Sequence, residues 1–140
     1  LQEITVSLGG RIAEEMIFDD ITTGASQDIK QATETARNMV TRYGMSDQIG
    51  MICYGDDDDQ VFIGRDLAHA KSYGERVAST IDEEVKRIID SCYGRAKELL
   101  AENREILHKS AALLMEREKI SGEEFEALLE KRAAGKRTAA

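Results

Sequence analysis

Apolar residues recur every three or four positions along most of this chain, and polar breaks divide it into four or five helical segments. Ile4, Leu8, Ile12 and Met16 stand four apart and predict a first helix over residues 3–17. Gly9 and Gly10 interrupt it, each costing about 1 kcal/mol relative to Ala. A helix keeps such residues where another backbone comes close, so tight packing is expected there. Glu14 and Glu15 follow, and their pattern reads as solvated surface charge. Ile29, Ala32, Ala36, Met39, Val40 and Tyr43 trace the buried stripe of a second helix. Ser26 suits its N-cap, Gly24 a positive φ just before the cap, and Gly44 the left-handed residue that ends it. Asp28 then falls in the first turn, at the positive end of the helix dipole. On this pattern alone, Asp28 is a dipole-matching residue.

After Gly44 the pattern changes. Ile49–Tyr54 and Gln60–Ile63 are short β-branched or aromatic runs around Gly55–Asp59, and they predict a small hairpin near residues 50–63 with an acidic loop. Four consecutive aspartates, Asp56–Asp59, invite a calcium reading. The EF-hand pattern instead alternates its acidic ligands around a central Gly and closes on a Glu, so solvated loop charges fit better. Ser72-Tyr73-Gly74-Glu75 has capping-box spacing and opens the longest helix. Its stripe runs from Val77 through Ile81, Val85, Ile88, Ile89, Cys92, Ala96, Leu99 and Leu100 to about Glu102, roughly 45 Å in all. Asn103 breaks it, and Ile106, Leu107, Leu113, Leu114 and Met115 continue on another helix. Ser121-Gly122-Glu123-Glu124 is a second capping box before a short helix with Phe125, Leu128 and Leu129. From Ala133 the composition turns to Gly, Lys, Arg, Thr and Ala, which predicts a frayed, disordered tail over 133–140. The fold class is mainly α, with one domain over 1–132 and no parallel sheet.

Composition narrows the function. Lys and Arg number 19 against 27 Asp and Glu, a formal charge of −8, and no basic block is present. Nucleic acid is a poor partner for such a chain. No apolar run reaches transmembrane length, so no direct membrane insertion is expected and this piece should be soluble. Cys53 and Cys92 form no C-x-x-C pair and suit a reducing compartment. The two histidines, His69 and His108, lie far apart without ligand spacing and read as surface residues.

Thr23-Gly24-Ala25-Ser26-Gln27-Asp28-Ile29, Ala36-Arg37-Asn38-Met39-Val40 and Tyr43-Gly44-Met45-Ser46 resemble the peptidase domain of the FtsH family. So do Leu8–Glu15, Val61–Asp66 and Ile81–Val85, in the family's order from about residue 1 to residue 130. These are membrane-anchored, ATP-dependent AAA+ zinc metalloproteases. The resemblance implies that the chain is the C-terminal portion of the zinc peptidase domain, with the H-E-x-x-H helix and its general-base Glu upstream. No H-E-x-x-H occurs in this chain.

Carried over by the resemblance, Asp28 is the third zinc ligand. Glu14 becomes a carboxylate that orients a zinc-binding imidazole from behind. A carboxylate suits Zn²⁺ as a compact charged oxygen donor, and three protein ligands leave a fourth position for water. Gln27 stands where many members have Asn, and the acidic Phe18-Asp19-Asp20 connector is shortened. The resemblance further implies a homo-hexameric parent acting on unfolded or membrane proteins in protein quality control. Its AAA+ module would use ATP and magnesium, and its peptidase domain would face the cytoplasm, matrix or stroma. This chain alone, with one ligand of three, is expected neither to cleave peptides nor to hold zinc tightly. The rival readings are an all-α interaction or oligomerisation module without catalysis, and a calcium-binding protein using Asp56–Asp59.

Overall fold

The computed structural model describes residues 1–54 and 74–138. Among these residues the chain forms five α-helices: α1 (Gln2–Phe18), α2 (Ser26–Thr41), α3 (Glu75–Glu102), α4 (Arg104–Arg117) and α5 (Gly122–Thr138). A 3-10 turn, Thr23–Ala25, leads directly into α2. The expected mainly α class is what the chain adopts, with no strand among the described residues. They divide into two compact units, Leu1–Lys97 and Glu98–Ala140.

The core of the first unit is built from the stripes that periodicity picked out. Ile4, Leu8 and Ile12 of α1, Ala32, Ala36 and Val40 of α2, and Ile81, Val85, Ile88, Cys92 and Ala96 of α3 are all buried. Helices α1 and α2 lie side by side, and the small Ala32 and Ala36 of α2 are fully buried. Contrary to expectation, no described backbone comes close at Gly9-Gly10. Among the described residues, a Cβ added at Gly9 would meet nothing within 4 Å, and one at Gly10 would meet only the Asp28 Oδ2 atom, 3.9 Å away. Ile29 and Tyr43 also depart from the expected stripe. They stand at its two ends, uncovered by the described residues, and remain exposed.

Gly44 takes the expected left-handed φ of 60°. This lets the Met45 N–H reach back to the Met39 carbonyl at 2.9 Å and closes α2. Gly50 makes a second such turn at φ 77°, and residues 50–54 form no strand. The rest of the expected hairpin, with Asp56–Asp59, lies outside the described residues, as do His69 and the Ser72 cap.

A polar anchor absent from the hydrophobic pattern fixes the segment after Gly44. Ser46, itself buried, donates its hydroxyl to Glu84 Oε2 on α3 at 2.6 Å. Arg87 grips the same carboxylate from one turn on, with Nε and Nη2 at 3.0 and 2.9 Å. Glu84 is only 6% exposed. These hydrogen bonds, the one from Arg87 first and that from Ser46 next, hold its carboxyl below the usual carboxylate range despite burial.

In the second unit α4 and α5 pack together, and Ile106 is buried. The expected capping box is present: Ser121 Oγ accepts from the Glu124 N–H at 3.2 Å, and Glu124 Oε2 accepts from the Ser121 N–H at 2.9 Å. The break before α4 is real, with Asn103 Nδ2 donating to the Leu99 carbonyl at 2.7 Å. The expected frayed tail is corrected: α5 continues past Ala133 to Thr138. Ala133 and Ala134 are the strongest helix formers, and Lys and Arg suit a helix's last turns.

Two outcomes follow from this packing. Because no described residue crowds Gly9, Gly9→Ala should raise the stability of this chain by about 1 kcal/mol in chemical denaturation. A loss of similar size would mean that the position needs glycine. Glu84→Gln should lower stability by about 1–2 kcal/mol at pH 7, with the largely exposed Arg87 contributing little of it. The Glu84 carboxyl is depressed in the folded state, so its contribution is present above the ordinary value of 4.5 and is lost as pH falls below it. Denaturation at pH 7 and pH 3 should therefore show the gap between wild type and Glu84→Gln closing in acid.

Candidate metal centre

Helix α1 ends at Asp19, which adopts a left-handed φ of 49°. The chain then runs through Asp20, whose Oδ1 accepts from the Ile21 N–H at 2.7 Å, to an extended Thr22. Thr22 is the cap of the next turn. Its Oγ1 accepts from the Gly24 N–H at 3.2 Å and donates to Glu14 Oε2 at 2.9 Å. Ser26, the expected N-cap, is instead the first residue of α2, and Ala25 before it offers no capping side chain. The 3-10 turn moves the start of the helical backbone back to Thr23, so the capping role passes to Thr22.

Gly24 is likewise not a positive-φ residue. What it lacks is a side chain that would crowd the turn. A Cβ there would lie 3.2 Å from Thr22 Oγ1 and 3.3 Å from Glu14 Oε1, tighter than ordinary van der Waals contact.

Asp28 falls in the first turn of α2, as expected, and is half-buried. Its Oδ2 lies over Gly10 of α1. Gly10 and Glu14 are four apart, hence on one face of α1, so the two carboxylates flank successive turns of that helix. Their surroundings differ. Glu14 is engaged by Thr22, whereas Asp28 has no hydrogen bond or ion pair to any described residue. A half-buried carboxylate with open lone pairs fits one bond to a cation. No cluster of three or more His, Cys, Asp or Glu capable of holding a metal occurs among the described residues. Asp28 therefore fits a metal as one ligand of a larger set.

Glu15, read from sequence as a solvated charge, has a different role. Its Oε2 accepts from the Tyr93 hydroxyl of α3 at 2.5 Å, and Lys97 Nζ stands 3.8 Å from Oε1. The Tyr93 bond, helped by Lys97 and Arg11, holds the Glu15 carboxyl below its ordinary range, and the same bond pushes the Tyr93 phenol up. This pair ties α1 to α3 beside Glu14. Sequence reasoning missed Thr22, although a threonine two residues before a glycine in a polar connector is the signature of a hydroxyl turn. His108 lies exposed on α4.

Residues 1–128, which contain this whole arrangement, match the model of peptidase family M41. The chain belongs to that family. Within M41 it is 50% identical over 129 residues to the ATP-dependent zinc metalloprotease FtsH of Caldicellulosiruptor bescii, covering 92% of this chain and 21% of that protein. It is 51% identical over 130 residues to the protein of the same name from Ruminiclostridium cellulolyticum, covering 93% and 21%. Against the ATP-dependent zinc metalloprotease FtsH 3 of Synechocystis sp. the identity is 47% over 129 residues, covering 91% and 21%. The chain thus spans about a fifth of the length of the curated relatives it matches. Asp28, Glu14 and Thr22 all fall inside the M41 match.

Proposed function

We propose that this chain is the C-terminal part of the peptidase domain of an ATP-dependent zinc metalloprotease, and that Asp28 is its contribution to the zinc site. The observation that carries this reading is the half-buried Asp28 carboxylate at the start of α2, without a partner among the described residues, in a chain of family M41. Zinc, when bound, supplies a Lewis acid that lowers the pKa of water to about 7 and polarises a peptide carbonyl. The protein side of that chemistry falls to residues of both segments. Asp28 would hold the metal, together with an upstream pair of histidines, and an upstream Glu would take the proton from the attacking water.

Glu14 has one oxygen on Thr22, and its second oxygen is the candidate to orient a ligand imidazole. The rest of the chain serves as scaffold for the peptidase ring, a homo-hexamer in this reading. An ATP- and magnesium-dependent module of the same protein would feed it unfolded or membrane proteins, from an anchor in the inner or an organelle membrane. No helix among the described residues is long and apolar enough to cross a membrane, so the anchor would be elsewhere in the protein. With one ligand, the chain by itself is inactive in this reading.

The test is Asp28→Asn in the full-length enzyme. Asn keeps the shape of the side chain and removes the charge that makes the oxygen a strong zinc donor. Zinc affinity should fall by more than the roughly 10–100-fold typical of a lost outer partner, and proteolysis should disappear while ATP hydrolysis persists. Wild-type zinc content and proteolysis, with at most about 1 kcal/mol of stability lost, would leave only the dipole role standing.

A further inference from the structure

We propose that Thr22 is a positioning residue for Asp28: its hydroxyl, held by Glu14, sets the turn from which α2 and its carboxylate are launched. The proposal deepens the reading of Asp28 as a metal ligand and rests on it. A threonine hydroxyl has one proton to give and lone pairs to accept with. Here the proton goes to Glu14 Oε2 at 2.9 Å and a lone pair takes the Gly24 N–H at 3.2 Å. Both ends are therefore committed, one to a side chain of α1 and one to the backbone of the 3-10 turn.

That turn is three residues long, and α2 follows it without a break, with Asp28 as its third residue. Asp28 has no hydrogen bond of its own to a described residue. Its placement over α1 thus comes from its backbone, through the turn that Thr22 pins. The space at Gly24 supports the same arrangement. Thr22 Oγ1 and Glu14 Oε1 converge on the point where a Cβ would sit, 3.2 and 3.3 Å away, so the three groups form one closed contact. Asp20, also in the connector, accepts only from its neighbour Ile21 among the described residues and ties the turn to none of the others. Metal ligands must be held to within a few tenths of an ångström. A relay of this kind is how a ligand on a helix start acquires that precision without bonds of its own.

The experiment compares Thr22→Val, Thr22→Ser and Asp28→Asn in the full-length enzyme. Zinc affinity is read by chelator competition, site geometry by the visible absorption of the cobalt-substituted protein, and turnover as separate kcat and KM. Thr22→Val keeps the shape and removes the hydroxyl. It should lower zinc affinity and kcat by about 10-fold or more, change the cobalt spectrum, and leave KM within about twofold. Thr22→Ser, which restores the hydroxyl, should recover most of each loss. If Thr22→Val lowers Tm but leaves zinc affinity and the cobalt spectrum as in wild type, Thr22 is a helix cap only and the proposal is wrong.

Should Thr22→Val not fold, Gly24→Ala probes the same contact with every hydroxyl in place. Weakened zinc binding supports the relay, and wild-type zinc binding counts against it. The outcome for Asp28→Asn separates the two levels. If that variant keeps its zinc, the ligand reading fails and the relay with it. If it loses zinc while Thr22→Val does not, the relay alone fails.

Discussion

The turn between α1 and α2 hangs on the hydrogen bond from the Thr22 hydroxyl to the Glu14 carboxylate. It ties the connector that leads into α2 to the side of α1. The bond is useful only because α1 is itself fixed. Ile4, Leu8 and Ile12 bury one stripe of that helix, and Glu15, next to Glu14, is clasped by Tyr93 and Lys97 of α3. Adjacent glutamates thus divide the work. One ties α1 to the long helix, and the other ties it to the start of α2.

The same logic recurs at the far end of α2. There the chain turns at Gly44, and Ser46 is bonded to the buried Glu84 of α3. Burying a carboxylate is costly unless its oxygens are bonded, and Ser46 and Arg87 meet that requirement. Hydrophobic packing along Ala32, Ala36 and Val40 sets how close α1 and α2 come. The polar anchors tie the turn before α2 to α1 and the segment after it to α3. The start of α2, where Asp28 stands, is held by both.

Much of this was legible in the sequence, because the core is written in a period that α-helices impose. The stripes of α1 and α3, the break at Asn103, the capping box at Ser121 and the left-handed Gly44 are all local signals, and each is where the pattern puts it, save that Leu99 at the end of the α3 stripe is exposed. The polar anchors were not legible. Glu14, Glu15 and Glu84 look like any surface glutamate, since the partners Thr22, Tyr93 and Ser46 come from distant positions or from other elements. Gly24 was misread for a related reason: its role is the space it leaves for two side chains, not the φ it can reach. Asp28 is the intermediate case. Its place in a first turn follows from the local pattern, but that its carboxylate has no partner among the described residues appears only once the helices are packed.

The central claim is that Asp28 is left open on the α1 face so that a metal can take it. A zinc-loaded structure of the full-length enzyme tests this most directly, since it reads the coordination sphere itself. The account requires an Asp28 carboxylate oxygen about 2.0–2.2 Å from the zinc, with Thr22 still bridging Glu14 and Gly24. A zinc ion whose ligands leave Asp28 uncoordinated would contradict it.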